Sequence, residues 1–332
     1  MTTVLESLQR GLHDCLAESP DVRVLGEDIL DPYGGAFKVT RGLSTEFPDR
    51  VFTTPVSEAG IVGLSVGMAL RGLRPVVEIM FGDFVLLAAD QLINHAAKLH
   101  WMTGDQVRVP LVVRTPMGGG RGYGPTHSQS LEKHLMGAPG LRTVAVTAIG
   151  EPGALLRTAA LADDDPILFI EHKLLYAAPL QTPGSGAEFE IRPFPGGYPA
   201  YLVRVAGAPE PVLTLVSYGY PAEQARQALQ TLAIQHEVFA DLVVYTQLSP
   251  FDPEPLLCSV RQTRHLLTIE EGTRSLGWGA EVLASAMEAP GSSFRAGRVA
   301  SLDLPIPAAR TLETAVLPSV ESIVSAALAL LR

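Results

Sequence analysis

The sequence predicts an α/β protein built from two doubly wound domains. Short apolar runs alternate with amphipathic stretches along most of the chain, and this alternation favours parallel strands joined by helices on both faces of a sheet. A segment rich in proline and glycine interrupts the alternation near the middle of the chain. Because 332 residues exceed the usual size of one domain, two separate hydrophobic cores are expected.

Apolar periodicity predicts the elements of the first half in order. Residues 3–18 carry apolar side chains at helical spacing, and VRVLGED at 22–28 predicts a buried strand that ends at acidic residues. The other elements are a strand from 51, a helix at 60–72, a strand at 74–81, one helix at 83–102, and strands near 109–116, 143–147 and 165–173.

The second half repeats the alternation of strands and helices. Its predicted elements are a strand at 211–219, a helix at 221–233, strands at 236–247 and 264–272, a helix from Gly279 and a final helix at 319–332. The sequence therefore predicts a first domain over 1–180, a linker over 181–208 and a smaller second domain over 209–332.

Composition excludes several classes of function. The net charge of −10 and the lack of a basic cluster argue against a nucleic-acid partner. The two cysteines, Cys15 and Cys258, lie far apart, so a disulfide framework or a cysteine zinc site is disfavoured. The N-terminus lacks the pattern of a signal peptide, and the longest near-apolar run, 59–70, is too short to span a bilayer. We expect a cytoplasmic protein without a membrane partner.

Glu58 is the first candidate for a catalytic residue. It lies in TTPVSEAGIVG, where a strand gives way to a helix, and its neighbours Val56, Ala59, Ile61 and Val62 are apolar or small. Poor solvation would raise the pKa of this carboxyl group and favour a role in proton sharing. The alternative is an ordinary helix-start acid that the helix dipole stabilises. The residues alone leave both interpretations open.

His127 is the second candidate, in the glycine-rich loop MGGGRGYGPTHSQS. Such a loop lets the backbone approach a ligand closely, and functional residues often lie on loops. Neither GK[ST] nor GxGxxG is present, so a phosphate-binding loop of those types is not indicated. No nucleophile elbow surrounds Ser128, which disfavours a hydrolase triad. A structural role for His127 in the loop is the alternative to a catalytic one.

These segments together resemble the β subunits of thiamine-diphosphate-dependent 2-oxo acid dehydrogenases, which belong to the transketolase superfamily. The stretches that carry the resemblance run nearly from end to end of the chain. They are GED (26–28), GAFKVTRGL (35–43), RVFTTPVSEAGIVGLSVGMALRGLRPVVEI (50–79), DQLINHAAK (90–98), HSQSLE (127–132), EEG (270–272), GWGAE (277–281) and LPSVESIV (317–324). The resemblance implies a pyrimidine-binding first domain and a transketolase-type C-terminal domain.

The resemblance also assigns roles to individual residues. Glu58 would contact N1′ of the aminopyrimidine of thiamine diphosphate and activate the cofactor. Phe84 would lie against the pyrimidine ring with Val56 beside it, although core packing is the ordinary interpretation of Phe84. His127 would face the reacting centre and take part in proton transfer or stabilise an intermediate.

The metal ligands expected for the diphosphate are missing from the chain. The family binds a divalent metal through a GDG motif and a later asparagine, whereas this chain has Gly82-Asp83-Phe84 and no matching asparagine. The resemblance therefore implies that a separate α subunit holds Mg²⁺ and diphosphate in an α2β2 heterotetramer. It also implies a potassium site formed by backbone carbonyls of Ala160, Leu161, Asp163 and Asp165.

Three functions remain as hypotheses. The first is oxidative decarboxylation of a 2-oxo acid, with acyl transfer to a lipoyl group on an acyltransferase. The second is transketolase-like transfer of a two-carbon ketol unit to a carrier protein in specialised metabolism. The third is a non-catalytic assembly partner, which the presence of Glu58, His127 and Phe84 argues against. Departures from the family pattern, such as YTQLSP at 245–250 and His134 in place of an aromatic residue, indicate a divergent member.

Overall fold

The computed structural model describes residues 2–182, 184 and 188–332, and the chain divides into two compact units. The first unit comprises Met1–Gly118, His134–Val146 and Glu151–Leu180. The second comprises Gly119–Lys133, Thr147–Gly150 and Gln181–Arg332. Two segments of the predicted first domain, Gly119–Lys133 and Thr147–Gly150, therefore belong to the second unit. Contacts within that unit hold them; for example, the amide of Gly119 donates to Glu271.

The first unit is built on a parallel sheet. Its strands are β1 Val22–Gly26, β2 Val51–Thr53, β3 Arg74–Glu78, β4 Val112–Met117, β5 Arg142–Ala145 and β6 Ile167–His172, in the spatial order β5-β6-β4-β3-β1-β2. Every neighbouring pair in that order is parallel. The central strands are buried along their length, as expected for a parallel sheet covered on both faces.

Helices connect these strands. They are α1 Val4–Glu18, α2 Leu43–Glu46, α3 Glu58–Ala69, α4 Ala97–Met102 and α5 Pro152–Arg157. Thr3 and Glu6 form a capping box that fixes the start of α1, and the buried side of α1 carries the predicted apolar residues. The predicted amphipathic helix at 3–18 is therefore confirmed.

The segment predicted as one helix at 83–102 is divided into three parts. A 3-10 helix covers Gly82–Ala88 and a π-helical segment covers Gln91–Ala96, and both precede α4. The apolar spacing of the sequence shows that this segment is helical. It does not distinguish hydrogen bonds to the third, fourth or fifth preceding residue, so the change of helix type escaped prediction.

The second unit contains a mixed six-stranded sheet. Its strands are β7 Phe189–Phe194, β8 Ala200–Val205, β9 Leu213–Tyr218, β10 Ala240–Tyr245, β12 His265–Thr273 and β13 Arg295–Ser301, in the order β13-β12-β9-β10-β8-β7; the short β11 Gln247–Ser249 lies outside this sheet. Its helices are α6 Pro221–His236, α7 Glu254–Thr263, α8 Trp278–Glu288, α9 Arg310–Val316 and α10 Val320–Leu331. The prediction of two mainly parallel α/β sheets is confirmed.

The predicted linker at 181–208 contains regular structure. Within it β7 and β8 form an antiparallel pair at one edge of the second sheet. Pro193 lies in β7, the edge strand, where its missing N–H removes no internal hydrogen bond of the sheet. Pro183 and residues 185–187 of the predicted linker lie outside the described residues.

The C-terminal residues Arg310–Leu331 are long and apolar enough to cross a membrane when judged by length and composition alone. Buried side chains of this stretch, Ile323, Val324 and Ala327, instead join the hydrophobic core of the second unit. A core helix of a globular protein passes the same test of length and composition, and 28 % of the apolar window in this stretch is buried.

Candidate active site

Glu58 is the first residue of α3. The preceding residue, Ser57, is the N-cap, and its Oγ accepts a hydrogen bond from the amide of Gly60 at 3.3 Å. The side chain of Glu58 is buried, with 7 % of the residue exposed. The structure thus agrees with both features expected from the sequence, a helix-start position and poor access to water.

A second carboxylate, Glu27, lies close to Glu58. Burial raises the pKa of Glu27, the negative charge of Glu58 raises it further, and a hydrogen bond from the backbone of Ser57 lowers it. The Oε1 atom of Glu27 is buried and has no hydrogen-bond partner among the described residues, and the same holds for Oγ1 of Thr54. An unsatisfied buried oxygen is costly unless a further group supplies a donor.

The strand ends explain why these groups meet. Gly26 ends β1 and pairs with Thr53, the last residue of β2, and the amide of Thr54 donates to the carbonyl of Gly26 at 3.0 Å. Parallel strands bring their carboxyl ends to one edge of the sheet, which is where ligands of open α/β sheets bind. The unsatisfied oxygens therefore lie at the expected edge and fit a polar ligand such as an aminopyrimidine.

Phe84 and Val56 provide the apolar part of this region. Phe84 belongs to the 3-10 helix, and its ring meets that of Phe81 edge to face at 6.1 Å. This turn packs tightly on β4, because a Cβ atom on Gly82 would lie 2.3 Å from Cγ of Met117. Val56 is 80 % exposed, which is unusual for a valine and leaves its side chain available to a bound molecule.

A buried ionic cluster lies within the same sheet. Arg114 on β4 donates two hydrogen bonds to Glu171 on β6, from Nε at 2.7 Å and Nη2 at 2.6 Å, and a further one to Glu78 on β3. The hydroxyl of Tyr176 also donates to Glu171, at 2.6 Å. Burial acts to lower the pKa of Arg114, but Glu171 and Glu78 raise it above its ordinary value, so the guanidinium stays charged.

Two of the backbone carbonyls expected to bind potassium accept hydrogen bonds from the guanidinium of Arg74. Nη1 of Arg74 donates to the carbonyl oxygens of Ala160 at 3.2 Å and Asp163 at 2.9 Å. A potassium ion at these oxygens would lie beside a guanidinium and be repelled by it. The potassium site at Ala160, Leu161, Asp163 and Asp165 stays a prediction, and Arg74 binds two of its four carbonyls.

His127 lies in a loop of the second unit, Gly119–Lys133. Its Nδ1 is 3.1 Å from the hydroxyl of Thr126, and its amide donates to the carbonyl of Gly124 at 3.3 Å. The side chain is half-buried. Glu58, Val56 and Phe84 belong to the first unit, whereas His127 belongs to the second.

Two further buried acids of the second unit hold this loop. Glu271 on β12 accepts hydrogen bonds from the amide of Gly119 at 2.8 Å and from Oγ of Ser130 at 3.0 Å. Glu313 on α9 accepts from the amides of Gly120 at 2.8 Å and Gly122 at 3.0 Å. Sequence reasoning assigned no function to Glu27, Glu271 or Glu313. Glu27 lies in the motif GED and Glu271 in the motif EEG, both of which carry the family resemblance, whereas no motif contains Glu313.

Within the described ranges, no group of three or more His, Cys, Asp or Glu side chains could hold a metal ion. Glu58 and Glu27 in particular do not form a metal site together with a third described His, Cys, Asp or Glu side chain.

Comparison with known proteins identifies the family. The chain matches the transketolase pyrimidine-binding domain over residues 2–179 and the transketolase C-terminal domain over residues 204–323. It shares its fold with a solved structure described as a split-gene transketolase, inactive β4 tetramer, at a TM-score of 0.72 and 19 % identity, with 99 % of each chain covered. The fold and its domains thus define a transketolase-like protein.

Relatives with higher sequence identity narrow the class. The mitochondrial pyruvate dehydrogenase E1 component subunit beta-1 of Arabidopsis thaliana is 35 % identical over 98 % of this chain and 88 % of its own length. The mitochondrial E1 subunit beta of Homo sapiens is 34 % identical over 98 % of this chain and 89 % of its own length. The chain belongs to the β subunits of thiamine-diphosphate-dependent 2-oxo acid dehydrogenases, as its motifs predicted.

Proposed function

We propose that this chain, together with an α subunit, decarboxylates a 2-oxo acid oxidatively and transfers the acyl group to a lipoyl carrier. The names of the relatives support a 2-oxo acid as substrate, since they are pyruvate dehydrogenase E1 β subunits similar over nearly the whole chain. The observation that carries the proposal is the buried carboxylate of Glu58 beside the unsatisfied Oε1 of Glu27.

Thiamine diphosphate, when bound, would supply a nucleophilic carbon and an electron sink for decarboxylation. Glu58 would share a proton with N1′ of the aminopyrimidine, and its position out of water strengthens that interaction. Phe84 would pack against the ring and Val56 would contact its edge. Glu27 would accept a hydrogen bond from the bound cofactor through Oε1, which would satisfy that oxygen.

His127 would move a proton at the substrate during the reaction. The hydroxyl of Thr126 at Nδ1 restrains the orientation of its ring, as a general acid or base requires. This role differs from that of Glu58, which activates the cofactor. We therefore expect a substitution of His127 to lower turnover and to leave activation of the cofactor unchanged.

The partner in this proposal is an α subunit that contributes Mg²⁺ and the diphosphate site, with α2β2 as the assembly. The sequence supports this division, since Gly82-Asp83-Phe84 stands in place of the family's GDG motif and no matching asparagine follows. The acyl acceptor would be a lipoyl group on an acyltransferase.

The substrate can be tested on the reconstituted enzyme. This chain is co-expressed with its α-type partner, supplied with thiamine diphosphate and Mg²⁺, and assayed by reduction of an artificial electron acceptor. Turnover of pyruvate or branched 2-oxo acids is the expected result. Activity with a ketose phosphate and none with any 2-oxo acid would contradict the proposal and favour ketol transfer, while an assembled but inactive complex would favour a non-catalytic role.

Substitution Glu58→Ala tests the carboxylate directly. Because proton sharing at N1′ would be lost, exchange of the cofactor C2 proton should slow by on the order of 10²–10⁴-fold, while assembly with the α subunit persists. Exchange is followed by NMR in deuterated buffer, and assembly by gel filtration.

A matched control is Glu254→Ala. Glu254 is also an acid in the first turn of a helix, α7, but its side chain is 67 % exposed. Its replacement should leave C2 exchange unchanged. Normal exchange in the Glu58 variant would show that Glu58 is only a helix-start acid.

A further inference from the structure

The loop at 119–130, which carries His127, has no helix or strand of its own. Its glycines Gly120, Gly122 and Gly124 have φ angles of 83°, 70° and 77°, in the left-handed region that other residues rarely adopt. A segment of this kind leaves main-chain N–H groups that need acceptors from outside the loop. The acceptors determine which of the conformations open to a glycine-rich loop is the stable one.

Glu313 supplies acceptors to the first part of the loop. Its two carboxylate oxygens bind two amides separately, Oε1 that of Gly120 and Oε2 that of Gly122. Only 2 % of Glu313 is exposed, so water competes little for these bonds. One rigid side chain on α9 thereby fixes the turn at Gly120-Arg121-Gly122.

Glu271 joins the two ends of the loop. A single oxygen, Oε1, accepts from the amide of Gly119 at the start and from the hydroxyl of Ser130 at the end. Glu271 lies on β12, in the sheet of the second unit, and is itself buried. His127 is three residues from one of these contact points, so its backbone position depends on them.

The space beside the loop is also restricted. A Cβ atom on Gly122 would lie 3.1 Å from the carbonyl oxygen of Ala308, and one on Gly124 would lie 3.4 Å from Cβ of Ala308. The loop therefore contacts the segment before α9 on one side and is bound by the two acids along its backbone. Loss of either acid would release main-chain groups that nothing else in these contacts replaces.

We propose that Glu271 and Glu313 are positioning residues, which hold the 119–130 loop in the one conformation that presents His127 for proton transfer. The proposal rests on the function proposed above for His127. Neither acid has to touch the substrate, since both act on the loop, through the amides of Gly119, Gly120 and Gly122 and the hydroxyl of Ser130. Their effect should therefore appear in kcat, with little change in the KM for the 2-oxo acid.

The first measurement is independent of activity. Hydrogen exchange of the amides of Gly120 and Gly122 is followed by mass spectrometry in the assembled complex. We expect Glu313→Ala to speed this exchange at least tenfold and Glu313→Gln, which keeps one carbonyl acceptor, to give a smaller increase. Ser130→Ala removes the hydroxyl that donates to Glu271 and keeps Glu271 itself. This variant tests the anchoring role of Glu271 if the Glu313 variants fold poorly.

The second measurement is steady-state kinetics on the same variants. Glu313→Ala should lower kcat by ten- to a hundredfold at nearly constant KM, and Glu313→Gln should recover part of the loss. Glu288→Ala removes an exposed acid at the end of α8 and serves as the control, with unchanged exchange and unchanged kcat.

The outcomes separate the two proposals. Unchanged amide exchange in Glu313→Ala would overturn the anchoring role whatever the activity. Faster exchange with normal kcat would overturn the link between loop position and catalysis. Normal activity in His127→Ala would instead reject the proposed role of His127, and the exchange data would still decide whether the acids hold the loop.

Discussion

Glu78 and Glu171 in the first unit and Glu132 and Glu270 in the second are all buried, yet different groups compensate their charges. The first pair binds the guanidinium of Arg114. Neither Glu132 nor Glu270 forms an ion pair with any residue in the described ranges. Glu132 accepts a hydrogen bond from the hydroxyl of Tyr218, and Oε1 of Glu270 accepts from the amide of Gly279 at 2.9 Å.

The partners of each pair act against the effect of burial on the pKa. In the first pair, burial raises the pKa of Glu78, and the charge of Arg114 offsets part of that rise. With neutral donors only, burial dominates: it raises the pKa of Glu270 to about 7 and also raises that of Glu132. The first cluster links three strands through Arg114, whereas Glu270 in the second changes protonation near neutral pH.

The largest expected effect comes from Arg114→Met, which leaves two carboxylates buried without their cation. We expect a loss of about 3–5 kcal/mol in the free energy of unfolding, measured by urea denaturation. Arg108→Met is the control, because its contact with Asp165 at 3.6 Å is largely exposed and worth at most about 1 kcal/mol. An equal loss in the two variants would mean that the buried cluster is not held by its charge.

Glu270→Gln should change the dependence of stability on pH. The pKa of Glu270 is raised from 4.5 to about 7 in the folded chain, so the folded state binds the proton more tightly than the unfolded state. Its contribution is fully present below about pH 4.5 and is lost as pH rises to about 7, by about 3 kcal/mol. The glutamine variant keeps the acceptor for Gly279 but cannot titrate.

Thermal melting between pH 4.5 and 7.5 measures this effect as the difference between the native chain and the Glu270 variant. The melting temperature of the native chain should fall more steeply with pH over this interval. Parallel curves would show that Glu270 titrates at its ordinary pKa in the folded protein.

A pair of smaller substitutions sharpens the same contrast. Tyr218→Phe removes the hydroxyl that binds Glu132, and Tyr176→Phe removes the one that binds Glu171. Because Glu171 keeps Arg114, we expect the Tyr176 variant to lose about 0.5–1.5 kcal/mol and the Tyr218 variant about 1–3 kcal/mol. Chemical denaturation at pH 8 measures both, and a larger loss for Tyr176 would reverse the interpretation.

Local patterns accounted for most of the fold. The apolar runs of β1, β3 and β4 and the periodicity of α1 and α6 depend on neighbouring residues alone, so the sequence predicts them. Changes of helix type at 82–102 depend on packing, and the place of β8 in the sheet depends on β10, which lies further along the chain. No local spacing reports those contacts.

The candidate site divides in the same way. Glu58 became a candidate because a strand end, a helix start and apolar neighbours all occur within one short motif, but its role at the cofactor came from the family resemblance and stays a prediction. Glu313 was missed because its partners, Gly120 and Gly122, precede it by more than half of the chain. Arg114 was missed because its acidic partners, Glu78 and Glu171, lie on other strands far along the chain, and no local pattern in β4 indicates them.

Because the His127 loop is held mainly through its backbone amides, several of its side chains can be substituted without loss of the bonds that hold it. Three of the four anchoring bonds use backbone amides, so side chains at 121, 123 and 125 can be exchanged without removing any of them. These three positions are exposed. A library randomised there, with the glycines kept, would vary the surface around His127 and leave the four anchoring bonds in place.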